Sequence, residues 1–343
     1  MLIFDEATSA LDNKTEGMTI NTYLIISLGS IGRRHLSNLR KLDKNAKIII
    51  LRHQKTNNTS DENIIEVNRM EDALSFKPTI AIIASPAVFH VEQALVLLRH
   101  NIHLFIEKPL SHNLGGLDQL QNFAKEKSLI VMIGYVLRFS PVLKKVKSLL
   151  EENLVGNILS VSAHYGQYLP NWRPKQDYQE TVSAKKELGG GVLLEISHEF
   201  DYLCWLFGDI TSVVSNVVNT NTLNMNAEDR ADILIKFNQG FSGFVHLNCL
   251  EKKLYRVFSV NGSNGNIFCD FNNSEIKIDS NDRIESIDFS QDESDIYLNE
   301  LSCFLECVKS NKKPPISLED GMKVIKIVEA VKLSSNTRKW VDL

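Results

Sequence analysis

The 343-residue chain has little cysteine, no long apolar run and no strong charge balance, and each shortage closes off a class of function. Its five cysteines (Cys204, Cys249, Cys269, Cys303 and Cys307) are odd in number and scattered. That excludes a disulfide framework and offers no zinc-ligand spacing, so no metal is expected and a reducing cytoplasm is the expected location. No apolar run reaches the roughly 20 residues needed to cross a bilayer, and no secretory signal is recognisable. A formal charge of −4 provides no electrostatic footprint for nucleic acid or an anionic membrane. Nowhere does G-x-x-x-x-G-K-[ST] occur, the loop an ATPase or GTPase needs to cradle phosphates. What remains is a soluble globular protein with length enough for two cores.

Residues 1–17 differ in character from the rest. Met1 to Glu16 includes Asp5-Glu6 after an apolar start, then Ser9-Ala10-Leu11-Asp12. This stretch resembles the Walker B strand and D-loop of ABC-transporter ATPases, a family in which the residues matching Asp5 and Glu6 serve Mg²⁺ and polarise water. Without a phosphate loop elsewhere, the expectation is a remnant of a neighbouring transporter reading frame that carries no chemistry, with Met18 as the working start.

From residue 23 the pattern becomes one of short apolar strands alternating with helices. Residues 23–28, 47–51, 79–83, 102–106 and 129–133 are continuous apolar runs suited to parallel strands buried on both faces. Helical stretches lie between them, and the series predicts a doubly wound domain over residues 18–135. Ser27-Leu28-Gly29-Ser30-Ile31-Gly32 stands between the first strand and its helix. It is a G-x-G-x-x-G pattern whose first glycine is Ser27, placed to bring the backbone against a pyrophosphate at a helix N-terminus. Ser27, Gly29, Ser30, Ile31 and Gly32 are therefore candidate cofactor residues. Where an acid often holds the ribose hydroxyls, the sequence has Arg52. It can accept a 2′-phosphate, which favours NADP over NAD, or be a solvated strand end, or stack on adenine. Ser85 and Pro86, at the end of the third strand, suit close backbone approach to the same ligand. His90 can face the site or serve structure at a helix start. Glu107-Lys108-Pro109 closes the fourth strand, at the sheet edge where ligands sit in open α/β sheets.

After residue 136 the rhythm changes. Strand-like segments over 158–165, 210–218, 231–237, 240–247, 255–261, 266–270 and 275–278 alternate in polarity and are separated by turns. They predict an α+β domain over residues 136–343 built on an open, mostly antiparallel sheet. Helices are expected over 139–153, 192–207, 293–309 and 318–333, the last one returning towards the first domain.

Taken together, the Ser27–Gly32 loop, Ser85-Pro86 with His90, Glu107-Lys108-Pro109, and Gly189-Gly190-Gly191 ahead of His198 and Asp201 resemble the Gfo/Idh/MocA oxidoreductase family, over residue 20 to the C-terminus. The resemblance implies a Rossmann domain followed by an open-sheet α/β domain, and assembly as homodimers or homotetramers through that sheet. It also implies hydride transfer between NAD(P) and a carbon of a sugar, cyclitol or sugar nucleotide. Lys108 matches the catalytic lysine that bonds the reacting oxygen, and His198 matches the histidine that is usually general acid/base. Glu195 stands three residues before His198, where many members have aspartate four before, and takes a supporting catalytic role by that resemblance. Asp201 is either a histidine-orienting or helix-stabilising group or a substrate contact. Glu107 is a cofactor-edge group or a support for its neighbours, and the Lys108–Pro109 bond is expected to be cis.

The chemistry suits these residue types. Oxidising a secondary alcohol requires a base within hydrogen-bond reach of the hydroxyl and a cation to stabilise developing alkoxide. Substrate contacts are expected from Arg138 and from the aromatic and cationic stretch 165–174, through Tyr168, Trp172 and Arg173, although a loop of this composition can equally be a plain dimer contact. By analogy with relatives in bacterial surface-sugar synthesis, the expected substrate is a nucleotide sugar or an amino-sugar or nonulosonic-acid precursor. A non-catalytic dinucleotide sensor of the same fold is the competing expectation.

Overall fold

A computed structural model describes residues 21–52, 61–281, 284–292 and 295–343. The ABC-like stretch 1–17 lies outside the described residues, and so does the segment that follows Arg52. No described helix is long and apolar enough to cross a membrane.

In the first half the chain runs β1 (Thr22–Ile26), α1 (Ser30–Leu42), β2 (Lys47–Leu51), β3 (Ile64–Val67), α2 (Met70–Ser75) and β4 (Ile80–Ile83). It continues α3 (His90–Arg99), β5 (His103–Glu107), α4 (Leu117–Glu126) and β6 (Val131–Gly134). Among the described residues these strands form a six-stranded sheet in the order β3-β2-β1-β4-β5-β6, with every pairing parallel. Leu24, Ile25, Ile49, Ile82, Leu104 and Phe105 are fully buried, because helices cover both faces of the sheet. Strand order reverses between β1 and β4. The crevice at their carboxyl ends is where an open α/β sheet binds its ligand. β3 falls in a region where no strand was expected. It is a four-residue strand at the sheet edge, broken in polarity by Glu66, and too short to show a period.

A 3₁₀ turn, Val136–Phe139, leads into α5 (Pro141–Glu151). The expected helix from 139 thus begins two residues later, at a proline whose fixed φ suits the first helical position. Next come β7 (Ile158–Gly166), α6 (Val192–Glu195), α7 (His198–Phe207), β8 (Ile210–Val218), β9 (Arg230–Phe237), β10 (Ser242–Asn248), β11 (Tyr255–Gly262) and β12 (Gly265–Asp270). The chain ends β13 (Glu275–Ser280), β14 (Ile284–Asp288), α8 (Ile296–Ser310), α9 (Leu318–Thr337) and β15 (Val341–Asp342). Among the described residues the second sheet has nine strands, in the order β14-β13-β12-β11-β7-β10-β9-β8-β15. All its pairs are antiparallel except β7 with β10.

One face of this sheet is packed beneath α7. Tyr202 meets Phe258 at 5.4 Å between ring centres, and Ala163, Val245 and Ile233 are buried on the same side. The alternate residues look outward. In one register row Phe268, Ser259, Ser162, Phe244, Leu234 and Val214 lie side by side across six strands. Helix α9 joins the halves. Just ahead of it, the Ile316 carbonyl accepts the Ile133 N–H of β6. Its first turn is then closed by Ser317 and Asp320, each side chain bonding the other's backbone N–H in a reciprocal capping box.

Candidate functional site

The turn from β1 into α1 is the first wall of the site. Ser27 has a left-handed backbone, φ 77°, at the place where the motif has glycine. Its carbonyl hangs over Gly32, where a Cβ would collide with that oxygen, so only glycine fits beneath it. Gly29 caps α1 without any side-chain hydrogen bond, and the first turn carries no acid. A Cβ on Gly29 would meet none of the described residues within 4 Å. The result is an open helix N-terminus with free N–H groups and room beside them, a ready anion site. Ile31 is half-buried in the first turn of α1.

The second wall comes from the turns after β4 and β5. A cleft of about 670 Å³ is lined by Ser27, Gly29 and Ser30, by residues 84–87, by Lys108 and Pro109, and by Arg173, Lys175, Gln176 and Glu195. The Lys108–Pro109 peptide is cis. His90 does not face this cleft. It is buried between the carbonyls of Ser85 (2.8 Å) and Pro109 (3.0 Å), and burial lowers its pKa. A neutral ring there donates to one carbonyl at a time and ties the two turns together. Glu107 is likewise a support: it is buried, bonded to His35 Nε2 at 2.6 Å, and accepts the Lys108 backbone N–H at 3.3 Å.

Lys108 reaches across to the second domain. Its Nζ donates to the Glu195 carbonyl at 2.7 Å and stands 3.8 Å from Glu195 Oε2. That carbonyl is free because the helix expected over 192–207 is broken at Ile196 and Ser197. Glu199 N–H turns to Ile196 O instead, so the Glu195 carbonyl has no partner four residues on. Glu195 Oε1 accepts from Ser183 Oγ at 3.0 Å. His198 opens α7, with its ring edge-on to Tyr135 at 5.6 Å and its Nδ1 without a partner among the described residues. Burial first, then the charges of Lys108 and Arg256, hold its pKa well below the ordinary value.

Four expected substrate contacts are occupied elsewhere. Arg138 and Asp201 are buried against each other in a two-pronged pair, Nε to Oδ2 at 3.0 Å and Nη2 to Oδ1 at 2.7 Å. Arg138 also donates to the Pro315 carbonyl at 3.2 Å and lies 3.3 Å from Asp320. Burial pushes the Asp201 carboxyl up to about 6 against the opposing pull of Arg138, which leaves it ionised at neutral pH. The pair locks the domain junction and neither group is offered to a substrate. Tyr168 is covered by Lys252, whose Nζ lies 3.2 Å from the ring centre. Trp172 packs edge-on against Tyr165 and donates Nε1–H to the Gln167 carbonyl at 3.0 Å. Arg173, from the same stretch, does line the cleft. Arg52 lies at the end of β2 with Nη1 3.5 Å from Glu66 Oε1.

Sequence reading missed the pairing of Arg256 with the buried Glu199, 2.9 Å from Nε to Oε1; the Arg256 charge reaches His198. It also missed Ser183, Lys175 and Gln176. The 57 positions that separate Glu199 from Arg256 leave no local signal for such a pair.

Two family models match this chain. Residues 22–135 match the oxidoreductase family's NAD-binding Rossmann fold, and residues 147–343 match its C-terminal alpha/beta domain. The chain belongs to the Gfo/Idh/MocA oxidoreductase family. A myo-inositol 2-dehydrogenase of Thermotoga maritima is 26% identical, over 93% of this chain and 97% of that protein. Among solved structures, a levoglucosan dehydrogenase in complex with NADH superposes with a TM-score of 0.83 at 19% identity, covering 94% of this chain and 98% of the other. The WlbA dehydrogenase from Bordetella pertussis, in complex with NADH and UDP-GlcNAcA, superposes at 0.78 with 17% identity, over 94% and 99% of the two chains. These two likenesses concern the fold. As a Gfo/Idh/MocA chain it carries the family's NAD-binding domain, and the residues present fit a dinucleotide: the uncapped α1 N-terminus and the open space over Gly29 leave room and N–H donors for a pyrophosphate.

Proposed function

We propose that this chain is an NAD(P)-dependent dehydrogenase or reductase acting on a secondary alcohol or ketone carbon of a sugar or sugar nucleotide, in bacterial surface-carbohydrate synthesis. The observation that carries the proposal is the Lys108 ammonium, held by the Glu195 carbonyl on the wall of the same cleft that contains the dinucleotide cradle. A nicotinamide bound there supplies the hydride acceptor or donor. Lys108 then holds the reacting oxygen and stabilises negative charge as it develops. His198, kept neutral by burial and by two nearby cations, takes the hydroxyl proton in oxidation and returns it in reduction. Glu195 positions Lys108 through its backbone and is itself steadied by Ser183. Arg173 and Lys175 on the cleft wall give a phosphate-bearing sugar two cationic contacts.

The test is to incubate the chain with NAD⁺ or NADP⁺ and a panel of cyclitols, sugars and sugar nucleotides, and to follow nicotinamide reduction. Turnover with none of the panel, despite saturable dinucleotide binding, favours a non-catalytic sensor. Mass identification of small molecules retained on gentle purification narrows the panel. The outward row of Phe244, Leu234 and Phe268 supports assembly as a homodimer or homotetramer through the second sheet, which light scattering reads directly.

Two predictions arise here. Arg52, with Nη1 3.5 Å from Glu66 Oε1, is the candidate reader of a 2′-phosphate in this proposal. Arg52→Ala is expected to weaken NADP⁺ about ten-fold while NAD⁺ affinity changes by less than about two-fold, in line with loss of one charge-assisted contact; equal losses would remove Arg52 from that role. The second concerns pH. A base must be unprotonated to accept the hydroxyl proton, and His198 has a lowered pKa. The acid limb of kcat/KM for oxidation should therefore lie below about 6.5, the ordinary histidine value. A limb at or above that value would point to a different base.

A further inference from the structure

The outward face of the second sheet carries a cluster of ligating side chains that the proposed reaction does not use. His164 of β7 and His246 of β10 are register partners, and Asp232 of β9 lies opposite His246. Glu251 follows β10 and places Oε1 2.6 Å from His164 Nε2. One donor atom from each of His164, His246 and Glu251 lies within 4.8 Å of the other two. All three side chains are only partly exposed, at 32%, 21% and 33%.

The surroundings orient these groups. His246 Nδ1 lies 2.6 Å from Asp232 Oδ1. Donation of Nδ1–H to that carboxylate leaves the Nε2 lone pair free, the arrangement that prepares a histidine to bind a metal. Asn248 Oδ1 accepts the N–H groups of both Leu250 and Glu251, which fixes the turn delivering the carboxylate. Gly166 makes room for that carboxylate, since a Cβ there would collide with Glu251 Cδ. Asn248 Nδ2 bridges His246 Nε2 at 3.1 Å and Glu251 Oε1 at 2.9 Å, so a donor already occupies the point on which the lone pairs converge.

We propose that His164, His246 and Glu251 form a three-ligand site for a zinc-class divalent cation on the outward face of the second sheet. Two imidazoles and one carboxylate, without thiolates, suit Zn²⁺, Co²⁺ or Ni²⁺ and not the all-oxygen preference of Mg²⁺ or Ca²⁺. Ligand atoms about 2.0–2.1 Å from a tetrahedral ion stand roughly 3.3 Å apart. The 2.6 Å His164–Glu251 contact must open slightly and the wider spacings close, movements within reach of half-exposed side chains. On binding, His164 carries its remaining proton on Nδ1, the Nε2 lone pair turns to the ion, and the Asn248 amide swings aside.

The test uses the full chain, stripped with chelator and titrated with Co²⁺ at about pH 7.5, followed by Zn²⁺. The expected result is a saturable visible d–d spectrum at one equivalent per chain, displaced by Zn²⁺. His246→Ala and the near-isosteric Glu251→Gln should each lower Co²⁺ affinity at least about ten-fold, while dinucleotide binding stays unchanged as a check on folding. If either variant fails to fold, the other carries the comparison. Absence of a saturable cobalt spectrum in the wild type, or unchanged affinity in a folded variant, would overturn the proposal and leave a metal-free polar network.

Discussion

Lys108→Ala is expected to lower kcat/KM by about 10²–10⁴-fold while leaving dinucleotide affinity within about three-fold of wild type. The side chain is the only part of the Glu107-Lys108-Pro109 turn that reaches the cleft with a charge. Glu107 and His90 beneath it bind neighbouring backbone, not Nζ, so truncation leaves the turn intact. Nζ is held at 2.7 Å by the neutral Glu195 carbonyl, and the Glu195 carboxylate at 3.8 Å offsets only part of its charge. Removing that charge takes away stabilisation of the developing alkoxide. It also removes one of the cations that depress the His198 pKa, which should then rise towards the ordinary value. Steady-state kinetics and titration of His198 by NMR check both effects. Unchanged kcat/KM would remove Lys108 from the chemistry; loss of binding with kcat preserved would make it a cofactor contact alone.

Asp201→Ala should destabilise the protein by about 3 kcal/mol or more, because it strands a buried guanidinium. Arg138 is 7% exposed and Asp201 is fully buried. After truncation, Arg138 keeps the Pro315 carbonyl and the Asp320 contact at 3.3 Å. Those remaining partners place the expected loss at the lower end of the range for broken buried pairs, about 3–5 kcal/mol. The shift in urea midpoint measures it, and KM at a temperature where the variant is folded should change little. A large KM effect with intact stability would return Asp201 to the substrate site.

The Rossmann half was legible because parallel strands buried on both faces leave continuous apolar runs, and because the Gly29-Ser30-Ile31-Gly32 turn stands between a strand and a helix. Lys108 was legible from its place at a strand's carboxyl end. What the chain conceals is partnership at long range. Arg138 and Asp201 stand 63 positions apart, and an arginine beside aromatic residues reads equally well as a ligand contact. The break at Ile196 and Ser197 was hidden because both sides of it are helical in composition. Yet it is the break that frees the Glu195 carbonyl for Lys108, so backbone rather than a carboxylate makes the closest contact. Tyr168 and Trp172 have partners in Lys252 and Tyr165, because aromatic rings in a loop pack within the protein as readily as they face a sugar. In the His164–His246–Glu251 cluster, strand register brings His164 to His246 from far apart in the chain, and the turn after β10 adds Glu251.

Titration of NADH into the wild type and into Gly29→Leu shows whether the α1 N-terminus is the dinucleotide cradle. Gly29 has an ordinary φ of −64°, and a side chain there meets open space, so the variant should fold as the wild type does. The leucine would fill the space over the α1 N-terminus where the pyrophosphate belongs. Saturable binding by the wild type and a loss of at least about 100-fold in the variant are expected. Equal binding by the two proteins, or none by the wild type, would contradict that assignment.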